Sequence, residues 1–76
     1  MNPIREHDRV VLTVDLPGDR LAAGDVGTVV HVHREGKAFE VEFVALDGET
    51  VALATLEHTQ LRPVERREIV HARRVA

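Results

Sequence analysis

Between Leu21 and Val32 the chain reads LAAGDVGTVVHV, with Gly24 and Gly27 leading into a run of β-branched residues. Glycine takes positive φ at little steric cost, Asp25 suits a turn, and Val26, Thr28, Val29, Val30 and Val32 favour a pleated strand. The stretch predicts a tight bend at the two glycines and a strand after it, the corner of a small β-barrel. It is not a phosphate cradle. No lysine follows, and a strand instead of a helix comes next, so no helix N-terminus is offered to an anion.

The rest of the chain supplies strands to fit that corner. Arg9 to Val14, RVVLTV, reads as a first strand, ended by Leu16, Pro17, Gly18 and Asp19. Val26 to Arg34 is a second, expected to place Val30 and Val32 on one face and Val29, His31 and His33 on the other. Glu35 and Gly36 make a short hairpin turn. In Lys37 to Leu46, Phe39, Val41, Phe43 and Ala45 alternate with Glu40, Glu42 and Val44, which predicts a strand with one face in the core. Asp47-Gly48 predicts a two-residue type I′ hairpin, in which both central positions take positive φ, and Glu49 to Leu56 returns as the fourth strand. Glu57 to Gln60 fits one 3₁₀ turn before a short edge strand, Leu61 to Val64, where Pro63 needs no ladder donor.

These elements add up to an all-β domain, a small SH3-like barrel of about five strands with one 3₁₀ turn before the last strand. A five-stranded OB-type barrel is the alternative, but it wants a helix where Asp47-Gly48 joins two strands directly. Residues 1–64 make the barrel and 65–76 a basic C-terminal extension. In that extension Ile69, Ala72 and Ala76 fall at helical spacing, which predicts a short helix, a disordered tail being the alternative.

Charge divides the chain at the same place. Residues 1–61 hold five Lys or Arg against eleven acids, a net −6, whereas Arg62, Arg66, Arg67, Arg73 and Arg74 face only Glu65 and Glu68, a net +3. Either the tail folds onto its own acidic body or it reaches for an acidic partner, which makes these five arginines the candidate partner-binding residues. An acidic body is a poor surface for nucleic-acid phosphates, so RNA binding would depend on the tail. The charged N-terminus lacks the apolar segment of a signal peptide and no apolar run could span a bilayer, so the cytoplasm is the expected location and no membrane partner is expected.

The chemistry available is sparse. There is no Ser, Cys or Tyr among the 76 residues, and the only side-chain hydroxyls belong to Thr13, Thr28, Thr50, Thr55 and Thr59. No catalytic residue, cofactor site or disulfide is expected. His31 and His33, two apart in a strand, leave the same face and are the only metal-ligand candidates, with His58 or Glu42 as a third ligand. A spacing of two is generic in strands, so a solvated polar face is the expectation. Glu40 and Glu42 share a face too, and read as its wet side. Phe39 and Phe43 are the only aromatics and both fall on the core face, which excludes a proline-binding groove and a base-stacking platform.

Taken together, HDRVVLTVDLP, the L-x-AGDVGTVVHV turn, FEVEFVALDGETVALATL and QLRPV resemble the small bacterial family catalogued as domain of unknown function 4926, over Ile4 to Val64. The resemblance implies a stand-alone SH3-like barrel, of the general sort also seen in one subunit of nitrile hydratases, with no catalytic residues to carry over. It also implies an antitoxin or immunity-like role. The function expected from all of this is a non-enzymatic protein-interaction module that neutralises or scaffolds a protein partner, self-association being a related possibility. The alternative is a nucleic-acid-associated accessory protein of the KOW kind, working through the basic tail.

Overall fold

Alternating apolar and acidic residues make one inner strand of the sheet, which buries Phe39, Val41 and Phe43 and leaves Glu40 and Glu42 near the surface. In the computed structural model, which describes residues 3–75, the strands are β1 (Arg9–Leu12), β2 (Val26–His33), β3 (Ala38–Val44), β4 (Thr50–Glu57) and β5 (Leu61–Pro63). They form one antiparallel sheet in the order β4-β3-β2-β1-β5. Consecutive hairpins run from β1 to β4, and β5 returns to the far side of β1, where Leu12 pairs with Leu61 and Val10 with Pro63. The sheet is open between β4 and β5, and its order is compatible with an SH3-like barrel. Pro63 lies on an edge strand, as its missing N–H requires.

One core lies inside the curl. Val10, Leu12, Val29, Val41 and Leu56 are almost wholly buried, with Leu21, Phe39, Phe43, Ala54 and Leu61 beside them. Burying each Leu or Val contributes about 1.5–3 kcal/mol over leaving it exposed. No charged or polar residue is buried among the described residues, so the core carries no desolvated charge that must be paired.

The two glycines of the corner do different jobs. Gly24 takes φ +97° and makes the turn, as expected. Gly27 does not; it sits inside β2 with ordinary φ, and glycine is required there by proximity. A Cβ at Gly27 would lie 2.6 Å from Val41 Cγ1, 2.8 Å from Phe43 Cε2 and 2.9 Å from the Glu42 carbonyl oxygen. Glycine lets β2 press onto β3 at the point where the sheet bends.

Further along β2 the register slips. Val29 pairs with Val41, but His31 pairs with Glu40, so Val30 is an extra residue in a β-bulge. The bulge overturns the expected faces: Val29 is in the core and Val32, opposite Phe39, packs against it, while Val30 is exposed and His31 and His33 share the outer side. Strict alternation fails because one unpaired residue inverts every side chain after it.

The turns also differ in detail. Gly48 has φ +97° but Asp47 does not have positive φ, so the β3–β4 connection is not type I′. Gly48 N–H donates to the Ala45 carbonyl at 2.9 Å and Ala45 N–H to the Glu49 carbonyl at 2.8 Å, which closes a three-residue loop. The Asp47 carboxylate accepts the Glu49 N–H at 3.0 Å, a local bond that competes with the tighter turn. Short 3₁₀ turns occur at Pro17–Asp19 and Arg34–Gly36. The turn expected before β5 is present as a single bond from Gln60 N–H to the Glu57 carbonyl, 2.9 Å long.

The tail is the largest correction. Residues 65–75 contain no helix, and Ala76, the last position of the expected helical spacing, lies outside the described residues. Arg67 has φ +67°, which a right-handed helix does not permit, and Ile69 is 92% exposed, so it anchors no apolar face. A helix this short is marginal in water without packing. The residues find better partners by lying along the body in an irregular path. The radius of gyration, 11.7 Å, is about that of a chain this length with nothing projecting.

Candidate interaction site

The site is built from the glycine turn outward. Gly24 N–H donates to the Leu12 carbonyl at 2.7 Å and Leu12 N–H to the Asp25 carbonyl at 2.8 Å, so the turn is tied to the end of β1. Asp15 accepts the Ala23 N–H at 2.9 Å, and Asp25 Oδ2 accepts the Ala22 N–H at 2.8 Å. These bonds fix the backbone of the turn and orient the Asp25 carboxylate, whose side chain is only 18% exposed.

Arg73 takes the rest of that carboxylate. Its Nε donates to Asp25 Oδ1 at 2.8 Å and its Nη2 to Asp25 Oδ2 at 2.5 Å, while Nη2 also donates to the Arg20 carbonyl at 2.9 Å. A planar guanidinium matches a carboxylate in this two-point way, which sets direction as well as attraction. The Arg73 hydrogen bond holds the Asp25 carboxyl below its ordinary range, against the opposing effect of burial, and the Arg73 guanidinium is raised in turn.

Around the pair runs an apolar groove of about 280 Å³. The body contributes Leu21, Val26, Phe43 and Val51, and the tail contributes Val70, Ala72 and Val75. The acidic loop and the basic tail therefore meet across a shared apolar strip.

A second clamp turns the chain back after β5. Arg62 Nη1 and Nη2 donate to the two oxygens of Glu68 at 2.9 and 2.7 Å, and Glu68 Oε1 accepts the Glu65 N–H at 2.6 Å. The Arg62 contact first, and the Glu65 amide second, push the Glu68 carboxyl down to about 2.

The five arginines expected to bind a partner are thus divided. Arg62 and Arg73 are engaged within the chain, whereas Arg66, Arg67 and Arg74 are exposed with no ion pair or hydrogen bond among the described residues. Of the two fates open to the tail, the structure adopts the first, folding onto its own body. In the sequence Asp25 carries only the signature of a turn residue. The opposite charges of body and tail were the signal for its second role, but they did not say which acid Arg73 would meet.

His31 and His33 do come together, with ring centroids 4.5 Å apart and edge to face. Their neighbours are not those expected. His33 Nε2 lies 3.2 Å from Glu40 Oε1, and His31 Nδ1 lies 3.8 Å from Glu6 Oε2, while Glu42 accepts the Thr50 hydroxyl at 2.8 Å and His58 is exposed beyond β4. Among the described residues no group of three or more His, Asp or Glu is gathered to hold a metal ion. Glu40 and Glu42 do not face each other as an acid-base pair. Each takes its own cross-strand hydroxyl, Thr55 at 2.9 Å for Glu40, and the Glu40 carboxyl is lowered first by Thr55 and then by His33.

Among known protein families, the one described as Domain of unknown function (DUF4926) matches residues 6–63. No curated protein and no solved structure matches the chain. The matched span includes the whole sheet and Asp25 and stops before the tail, so Arg73 lies outside it. No helix is long and apolar enough to cross a membrane among the described residues.

Proposed function

The chain belongs to the family described as domain of unknown function 4926, and on its own geometry we propose that it is a non-enzymatic protein-interaction module. The observation that carries this reading is the Asp25 carboxylate, prefolded by backbone bonds at the mouth of an apolar groove and engaged by an irregular segment of polypeptide. A site that receives polypeptide is the elementary part of a binding module. The partner is a protein that this module neutralises, as an antitoxin or immunity protein would, or scaffolds.

The test is affinity capture from the native host with the full chain as bait, read by mass spectrometry for stoichiometry. A single protein recovered in near-equal amount supports the reading, and its absence counts against it. Self-association has its own support in β4, an eight-residue edge strand on which Leu53 is 57% exposed. Light scattering gives its mass directly.

The nucleic-acid alternative draws less support from the geometry, because Arg62 and Arg73 are already neutralised by Glu68 and Asp25. Among the described residues, three guanidiniums without a partner beside an acidic body make a small electrostatic footprint. Gel-shift experiments at low salt test it, and salt-sensitive binding that disappears without the tail would restore it.

A further inference from the structure

The tail is a ligand held in cis. We propose that the groove beside Asp25 is a recognition site for an irregular or extended peptide in which an arginine follows small apolar residues, and that Val70 to Val75 occupies it as the chain's own competitor. This deepens the interaction-module reading and rests on it. Arg73 engages the carboxylate of the groove, with its fork on Asp25 and a further donor to the Arg20 carbonyl. Val70, Ala72 and Val75 form the tail's side of the apolar strip, facing Leu21, Val26, Phe43 and Val51 across it.

Three observations favour an exchangeable occupant over a fixed piece of the core. The buried core cluster is made wholly of residues from Val10 to Leu61, with no tail residue in it. Val70 is still 59% exposed in its docked position, so its burial is partial. The connection from β5 carries Arg67 at φ +67°, a conformation that costs a non-glycine residue free energy and favours letting the tail go. The receiving side is different. Its loop is tied by the bonds of Asp15, Ala22, Gly24 and Leu12, none of which involves the tail, so the notch persists when the tail leaves.

The chemistry of the occupant follows from the charges. A part-buried carboxylate that offers both oxygens to one partner selects a guanidinium over an ammonium, since only the former donates two parallel bonds. The strip beside it is met in this chain by Val70, Ala72 and Val75. The occupant is therefore a cationic, arginine-bearing segment of another protein with the character of VHAR, and acidic peptides are refused.

The experiment uses the full chain and a fluorescent peptide of residues 65–76, with binding read by anisotropy. Arg73→Ala frees the groove from its internal competitor, so this chain is expected to bind the peptide about tenfold more tightly than the unaltered chain, given the effective concentration of a short tether. Adding Asp25→Asn to that chain is expected to abolish binding, as is Arg73→Ala or Arg73→Lys in the peptide. Circular dichroism confirms that each chain is folded. Equal binding by the Arg73→Ala and unaltered chains, or binding that survives Asp25→Asn, overturns the proposal. Host capture separates this from the broader reading: a stoichiometric partner retained by the Asp25→Asn bait sinks the groove and leaves the module standing. Peptide binding without any host partner does the reverse.

Discussion

Arg73 closes on Asp25 across 48 positions of chain, donating from Nε and Nη2 to both carboxylate oxygens. The pair joins the only basic segment of the protein to the turn that leads into β2. Exposed ion pairs contribute little to stability because water screens them. This one is better understood as choosing where the tail lies, with Val70, Ala72 and Val75 adding the apolar contact.

If the pair directs docking, Asp25→Asn should loosen the tail and leave the sheet intact. Hydrogen exchange is expected to accelerate at Arg73 to Val75 while the β3–β4 amides keep their protection. Unchanged exchange in the tail would contradict the assignment.

Acid should release the same segment. The Asp25 carboxyl is depressed by Arg73, and the Glu68 carboxyl is pushed to about 2 by Arg62, so both are more acidic in the folded chain than in the unfolded one. Such groups contribute stability fully above their unfolded values, near 3.8 and 4.5, and that contribution is lost as pH falls through the folded values. Tail resonances in an NMR titration should therefore hold steady from neutrality to about pH 4.5 and move toward the released position as pH approaches 2. Release on raising the pH would have the wrong sign.

Glycine substitutions should separate space from conformation. Gly27→Ala puts a methyl group 2.6 Å from Val41 Cγ1 and 2.9 Å from backbone, an overpacking expected to cost about 1–3 kcal/mol in urea unfolding. Gly18→Ala meets nothing within 4 Å and has no positive φ, so it should be neutral or stabilise by about 0.4–1 kcal/mol through the unfolded chain.

Burial should rank the apolar residues in the same way. Leu56→Ala, at 1% exposure, is expected to cost about 2–5 kcal/mol, enough to threaten a domain of this size. Ile69→Ala, at 92%, should change stability by no more than about 0.5 kcal/mol. Comparable losses at both sites would place Ile69 in a contact that the fold does not have.

Zinc or nickel should leave the melting temperature unchanged, because His31 and His33 meet Glu6 and Glu40 without a third ligand in place. A metal-dependent rise that is abolished by His33→Ala would show that the two imidazoles complete a site after all.

Much of the sheet was legible because its signals are local. The alternation from Ala38 to Val44 reports burial one residue at a time, and the turn residues around Pro17, Gly24, Gly36 and Gly48 mark where strands end. The site was legible only in part. Opposite charges on body and tail point to a contact between them, yet Arg62 and Arg73 look the same as Arg66, Arg67 and Arg74 in the sequence, and distance alone separates those that pair from those that do not.

The order of residues determined an all-β chain with five strands, an apolar face on each, and a tail of opposite sign, because propensity, alternation and charge are properties of short stretches. Tertiary structure decided everything that depends on two distant stretches arriving together. Gly27 is glycine because Val41 and Phe43 press on it, Val30 is exposed because β3 forces a bulge there, and the tail is not helical because Asp25 and the groove compete with a helix too short to hold itself. Each is a contact between residues far apart in the chain, settled by packing and pairing that no local pattern encodes.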